Sequence, residues 1–433
     1  MTTKLKHKII LIVTFFLTIL YFFNDFSLID IEKTAIIVAL GIDKSDEGVE
    51  ITAQIGVPHS TEKALDNTDT LITAKGKTVM DAIETMSARS GWFPKLSFCN
   101  FIVFGKELAL EGIEEICNHI LSSEHFQNSA LLAVCDETAK KFLQTPTPLD
   151  AISSFAVQKV LIENGITSSR ILDTDVKSFS ESTHGRSRCG YMPYITVIEG
   201  NAKGEEDSSA ATTSFPFNEN KSDNGLIDGL FENVLLKGEQ NDDSKSQDEN
   251  SSGGGKNSPS AIFDAGKTAV FKGGKFADIL SEKETIAYNL LYVPADSILV
   301  TVKSEDKNAT LEIFYNARKV SVDFTKRPTL KLKLDLIVRI ADGNTGYDED
   351  NALGWRATVP EEFLTALKQE TTSVLNVLAK RLLEKDVDLF NIRNLTYKYH
   401  NFQYEDYKKI PLASFDVKIS VSASSRDSTS KPR

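Results

Sequence analysis

Two Gly-Lys-Thr triplets stand where a phosphate could be held: Gly76-Lys77-Thr78, between a β-rich run and an amphipathic one, and Gly266-Lys267-Thr268. A P-loop wraps phosphate in the backbone N–H groups of a glycine-rich turn, and needs a further glycine five positions before its Gly-Lys pair. Leu71 and Ala261 occupy those positions, so both triplets read as turn-and-cap sequence. The loop from Asp342 to Asp350 (DGNTGYDED) offers oxygen ligands suited to Ca²⁺, but Tyr347 stands where an EF-hand loop requires glycine, and a solvated hairpin loop explains it better. The histidines, His7, His59, His119, His125, His184 and His400, show no zinc-ligand spacing. There is no Gly-x-Ser-x-Gly elbow, and no nucleophile can be paired with a base. Asn308-Ala-Thr310 and Asn394-Leu-Thr396 match the glycosylation triplet, which also arises by chance, and receive no role. The expected sets of catalytic, cofactor-binding and metal-binding residues are therefore empty.

Cys99, Cys117, Cys135 and Cys189 show no CxxC spacing. The first three lie in apolar stretches, where a buried free thiol fits better than a bridge, although a single disulfide is the alternative outside the cytoplasm.

The chain opens with a basic cluster, Lys4, Lys6, His7 and Lys8, followed by apolar sequence from Ile9 to Phe23. Such a segment is a cleaved signal peptide or a retained anchor, and the alternative of a buried core helix is disfavoured because the run has no polar face and follows a basic cluster. Its roughly 15 residues would span about 22 Å as a helix, short of a ~30 Å hydrocarbon core unless extended through Phe26 and the snorkelling lysines. Signal peptidase needs small residues after the apolar run, and the exit here reads Tyr21, Phe22, Phe23, Asn24, Asp25, Phe26. Retention is the reading that follows. The anchor would consist of Ile9, Ile10, Leu11, Ile12, Val13, Phe15, Phe16, Leu17, Ile19, Leu20, Phe22 and Phe23, with the lysines cytoplasmic and the rest of the chain outside.

At 433 residues and 41% hydrophobic, the chain can bury more than one core. Of its net charge of −12, −7 comes from residues 201–260, where five lysines meet twelve acids. No Lys/Arg-rich patch interleaves with aromatics, which argues against nucleic acid as a partner.

The elements that would have to position any site alternate between strand and helix. Thr34–Asp43 and Val49–Val57 read as a hairpin, followed by a polar loop Ser60–Thr70 and a strand at Leu71–Ala74. Helical spacing predicts helices from Thr78 to about Arg89 and from Glu107 to about Leu121, separated by a buried strand Leu96–Phe104. A strand at Ala130–Val134, helices at Glu137–Leu143 and Ala151–Ile162, and a strand at Tyr191–Ile198 complete the first half. Residues 201–260 are too polar to bury a core and read as a disordered acidic linker, with one apolar island at Leu226–Leu236. The second half opens with a hairpin at Gly273-Gly274 and a capping box, Ser281 with Glu284. Strands Ser297–Val302, Ala309–Phe314 and Lys319–Phe324 follow, then the strict alternation of Leu330, Leu332, Leu334, Leu336, Val338 and Ile340 with polar residues. A long helix from Pro360 to about Glu384 should lie across that sheet, and Ala413–Val421 is a last strand. The opening hairpin forces antiparallel pairing, so the expected class is α+β: an N-terminal anchor followed by mixed α/β domains with largely antiparallel sheets. The expected boundaries are 1–26 for the anchor, 31–200 and 261–423 for the two folded domains, 201–260 for the linker and 424–433 for a disordered tail.

In their order these features resemble the Ger(x)C family, the C subunits of spore germinant receptors. The carriers are Ala35-Ile-Ile-Val-Ala-Leu-Gly-Ile-Asp43, the helix after Gly76-Lys-Thr78, Phe104-Gly-Lys-Glu-Leu-Ala-Leu-Glu-Gly112, Gly266-Lys-Thr-Ala-Val-Phe271 with Leu280-Ser-Glu282, and Asp388-Leu-Phe390. The resemblance implies a non-enzymatic subunit without cofactor, needed for the response to nutrient germinants. It would be held at the outer face of the spore inner membrane and work with integral-membrane A and B subunits. The family usually carries a lipobox cysteine after the apolar run, whereas no cysteine precedes Cys99 here, so the Ile9–Phe23 helix would anchor in its place. Other readings are a stand-alone membrane-anchored small-molecule binding protein and an anchored cell-wall hydrolase. The hydrolase would need paired carboxylates, and Glu361-Glu362 at a helix start is accounted for by the helix dipole.

Overall fold

The structure is a computed structural model, and it describes residues 3–23, 34–56, 71–145, 147, 152–167, 170–199, 261–294, 297–304, 307–343 and 358–425. The expected linker, the Ser60–Thr70 loop, the Leu226–Leu236 island, most of the Asp342–Asp350 loop and all but two residues of the expected tail lie outside the described residues.

Helix α1 (Thr3–Phe23) contains the proposed anchor. Ile9, Ile10, Leu11, Ile12, Val13, Phe15, Phe16 and Leu17 are all exposed on it, and Ile19 is half-buried. The side chains of Leu20, Phe22 and Phe23 lie outside the described residues. Thr14 and Thr18 return their hydroxyls to the carbonyls of Ile10 and Thr14, at 2.9 and 2.8 Å, which satisfies both threonines within the helix. Among the described residues no helix is long and apolar enough to cross a membrane.

The expected hairpin forms from β1 (Thr34–Ser45) and β2 (Gly48–Ile55), extended antiparallel by β3 (Leu71–Gly76). Helix α2 (Val79–Ser90) starts at Thr78, whose hydroxyl accepts from Asp81 N, and ends at Gly91 in the left-handed region. After it the chain departs from expectation. The run 96–104 is not one strand: β4 (Phe93–Lys95) pairs with β1, a 3₁₀ turn over Leu96–Phe98 follows, and β5 (Phe101–Gly105) begins afresh. Only Leu96 of that turn is buried, so the apolar run supports two elements with a corner between them. The single helix expected over 107–121 is two, α3 (Lys106–Glu111) and α4 (Glu114–Ser122). They are broken at Gly112, whose φ of 129° no ordinary side chain adopts.

Then come β6 (Leu131–Cys135), α5 (Ala139–Gln144), α6 (Ser153–Thr167), α7 (Val176–His184) and β7 (Cys189–Glu199). Helix α7 was not expected. Asp175 caps it, accepting from Ser178 N at 2.6 Å, and Gly185 ends it, but Val176 and Phe179 are too few to register as a period among the serines.

Strands β8 (Ala261–Lys272) and β9 (Lys275–Leu280) turn at Gly273-Gly274 and pair through β7 with the first sheet, so that sheet is completed from beyond residue 260. Among the described residues it has nine strands, ordered β3-β2-β1-β5-β6-β7-β8-β9 with β4 on β1. The expectation of largely antiparallel sheets is corrected at its centre, where β1, β5, β6 and β7 run parallel and the antiparallel pairs flank them. The intervening helices impose this, because parallel neighbours need a crossover that covers a face. Phe101, Ile102, Val103 and Phe104 are accordingly all 0% exposed. Ile102 and Phe104 pack in the core holding Val79, Met86 and Ile120, whereas Phe101 and Val103 join Phe142, Val157 and Leu161.

The second sheet has the order β10 (Ile298–Ser304), β11 (Lys307–Asp323), β12 (Thr329–Gly343) and β13 (Asp416–Ser425). The two strands expected between 309 and 324 are the single strand β11, which carries a register irregularity at Ile313/Tyr315. Leu330, Leu332, Leu334, Leu336 and Val338 are at most 1% exposed and form one face. Helix α8 (Glu282–Tyr292), with the expected capping box, and helix α9 (Glu361–Glu384) supply Leu290, Phe363, Leu375, Leu378 and Leu382 to the same core. The short helices α10 (Ile392–Tyr399) and α11 (Tyr404–Tyr407) lead to β13.

Candidate functional site

All three non-glycine residues with positive φ among the described residues gather in one place: Arg188 (47°), Asp386 (54°) and Asn391 (62°). That backbone conformation is unfavourable for residues with a Cβ and persists only where the surroundings enforce it. Here the surroundings are the turn from α7 into β7 on one side and the loop from α9 into α10 on the other. Ser187 Oγ donates to Asn391 Oδ1 at 2.7 Å, Lys272 reaches Asp386 at 2.8 Å, and Gly273 N donates to Arg188 O at 2.7 Å. First-sheet and second-sheet elements are thereby pinned to each other.

Asp388 is the centre of this joint. It is 2% exposed, and its two carboxylate oxygens accept from Ile392 N at 2.6 Å and Arg393 N at 2.9 Å, capping α10. Burial pushes its carboxyl up to about 6, against the opposing pull of those N–H groups, Ser187 and Arg393. Behind it Tyr288 donates to Leu389 O at 3.0 Å and stacks edge-on against Phe390 and Tyr191. A cavity of about 220 Å³ opens between these groups, lined by Gly185, Arg186, Cys189, Tyr191, Tyr288 and Asp388 among others. At its mouth the Arg186 guanidinium lies 3.4 Å from the centre of the Tyr397 ring.

Chemically the joint is quiet. Burial pushes the Cys189 thiol and the Tyr288 phenol up, so neither offers an anion at neutral pH. The Asp388 oxygens already serve the helix. Among the described residues no group of three His, Cys, Asp or Glu is placed to hold a metal. All four cysteines are free and buried, with Cys99 pushed up to about 12 by burial.

The other sequence candidates lie elsewhere and are not brought together. Gly76 abuts α2, where a Cβ would come 2.3 Å from Ala82 N, and Gly266 lies against Asp264 and Glu282. Glu361 and Glu362 stand in the first turn of α9. Asp43, inside a resemblance-bearing strand, is a second buried cap: it accepts from Ala139 N at 2.7 Å and Lys140 N at 2.9 Å. Of the joint, sequence reasoning singled out Asp388, within Asp388-Leu-Phe390, along with Cys189 and the Gly273-Gly274 turn; Ser187, Arg188 and Asn391 went unnoticed. The missed residues carry no capping signal: Asn391 stands at the N-cap of α10 without capping it through its side chain, and Asp388 serves the helix from three positions further back.

A nine-stranded mixed sheet with a parallel centre, tied at this joint to a second, four-stranded sheet, defines the α+β class of the chain. Residues 28–197 match the spore germination protein N-terminal domain, and residues 266–427 match the spore germination B3/GerAC-like C-terminal domain. The chain belongs to the Ger(x)C spore germination family. No protein of curated function matches it in sequence. Among solved structures it is similar to the crystal structure of the GerBC protein, at 12% identity and a TM-score of 0.46, over 89% of this chain and 96% of that one.

Proposed function

We propose that this chain is the non-enzymatic C subunit of a spore germinant receptor, tethered by the Ile9–Phe23 helix and needed for the response to nutrient germinants. Its folded parts lie at the outer face of the spore inner membrane, beside integral-membrane A and B subunits. The observation that carries this reading is the match of both halves of the chain, in order, to spore germination domains. The exposed apolar length of α1 supports the tether. A stand-alone small-molecule binder would have little room at the joint, because the 220 Å³ of the Asp388 cavity falls below the roughly 300–1,000 Å³ of ordinary ligand pockets, and its roomier site would be the groove of about 440 Å³ lined by Lys368, Thr372, Asn376 and Ile419.

The test is deletion of the coding sequence from the parent spore-former, with fractionation of the spores. Loss of the response to at least one germinant, restored by complementation, is expected. So is recovery of the chain in the inner-membrane fraction, accessible to protease from outside. Normal germination with every trigger, or a chain facing the cytosol, would overturn the assignment.

A further inference from the structure

The first sheet carries an exposed aromatic corner that packing does not explain. Trp92, Phe93 and Phe98 are 46, 49 and 52% exposed, and Ile36 beside them is 43% exposed. Register places Phe93 and Ile36 on one face, since β4 runs parallel to β1 with Thr34 opposite Phe93 and Ile36 opposite Lys95, and Trp92 and Phe98 bracket that short strand at its two ends. The corner is held in shape. Gly91, at φ 70°, ends α2 with open space around it, Ser87 Oγ donates to Trp92 O at 3.0 Å, and Trp92 N donates to Ser90 Oγ at 3.2 Å. Exposed Arg89 and Lys95 flank the aromatics.

The position of this corner along the chain says what covers it. Thr34, the first residue of β1, is separated from Phe23, the last residue of α1, by residues 24–33 alone. Ten residues reach at most about 36 Å when fully extended. If α1 is held in a bilayer, the Thr34 end of the sheet is the part of the fold kept nearest to it, and Phe93 is Thr34's own strand partner. An exposed tryptophan with two phenylalanines, flanked by cations, is the composition that settles at the headgroup boundary, with rings in the interface and Lys/Arg against anionic headgroups.

We propose that the Trp92–Phe98 corner, with Ile36, is a membrane-interface contact that seats the first sheet against the anionic bilayer holding α1. The proposal rests on the anchored reading given above. It gives the tethered chain an orientation, with a fixed edge of the first sheet facing the lipid.

The chain has two tryptophans, Trp92 and Trp355, so Trp355→Phe leaves a single reporter at the corner. The full chain carrying that change is reconstituted into phosphatidylcholine/phosphatidylglycerol vesicles, with and without lipids brominated near the headgroup end of the acyl chains. The expected result is flotation with the vesicles, a blue shift of Trp92 emission, and its loss on bromination. Phe93→Ser with Phe98→Ser, both at exposed sites, should keep flotation and lose the bromine quenching. Flotation with solvent-like, bromine-insensitive emission would refute the contact and leave the anchor standing. Trp92 shielded from acrylamide yet insensitive to bromine would mean that a second copy or another protein covers the corner, and would refute it equally. A chain that does not float removes the anchor, and this contact with it.

Discussion

Ser187 donates its hydroxyl to Asn391 Oδ1 at 2.7 Å across 204 positions of sequence, and Asn391 receives it in the left-handed region at φ 62°. The side chain that makes the contact thus belongs to a residue type that tolerates the backbone. Asn391→Gly should keep the turn and lose only the hydrogen bond. Asn391→Ala should lose both, ending about 1–2 kcal/mol below the glycine variant in urea unfolding. Equal stability of the two variants would show that the joint does not enforce this conformation.

Asp388 makes stability depend on pH with a definite sign. Its carboxyl keeps its proton to about pH 6 in the folded chain, against an ordinary value of 3.8. Between those values the folded state binds more protons than the unfolded one. The group's contribution is therefore full below about pH 4, declines as pH rises towards 6, and is flat above, a loss on the order of 3 kcal/mol. Asp388→Asn removes the titration. Asp43 and Asp173, also raised chiefly by burial, persist in the variant and cancel in the difference. Unfolding free energies measured from pH 4 to 7 should show wild type falling relative to Asp388→Asn across that window; parallel curves would rule the mechanism out.

Gly105 is where the first sheet leaves room for its own cap. A Cβ there would lie 2.1 Å from Asp43 Oδ1, the atom that accepts from Ala139 N. Gly105→Ala should displace the carboxylate from the start of α5 and cost about 2–3 kcal/mol. Asp43→Ala alone strips the cap for a similar loss. In the Asp43→Ala background the glycine substitution should add little, since the clash partner is gone. Additive losses in that double-mutant cycle would place the strain elsewhere.

These residues also show what the sequence made legible. The alternation from Leu330 to Val338 and the apolar side of α9 announce their faces locally, because burial on one side writes a period into the chain. Thr78, Ser281 and Gly273-Gly274 marked their caps and turn for another local reason: hydroxyls serve the first N–H groups of a helix, and glycine tolerates positive φ. The parallel centre of the first sheet was not legible: the partner of β1 is β5, and nothing local in Ala39–Ile42 names Phe101–Phe104 as its neighbour. The apolar stretch before Phe104 hid a corner because Phe98 is as hydrophobic as its buried neighbours, yet points outward. The joint was least legible of all, since it is built from Ser187, Arg188, Asp386 and Asn391, turn residues whose meaning exists only once the two sheets meet.

Arg381 gives the sheets a second tie. From α9 its Nε donates to Asp278 Oδ2 at 2.9 Å on β9, and its guanidinium pairs with Glu284 at 2.8 Å on α8, while Lys385 reaches Asp278 at 3.1 Å. The two carboxylate side chains are only 13 and 11% exposed, so removing the arginine strands negative charge in a poorly hydrated place. Arg381→Met should cost about 2–4 kcal/mol. Arg381→Lys should recover less than half of that, because one ammonium cannot serve two carboxylates as a planar fork does. Adding Asp278→Asn and Glu284→Gln to Arg381→Met should restore most of the loss, the charges having gone with their partner. Urea midpoints for the four proteins decide it: if neutralising the acids makes the methionine variant worse, the loss is one of packing along the arginine stem, and the ion-pair account of this tie fails.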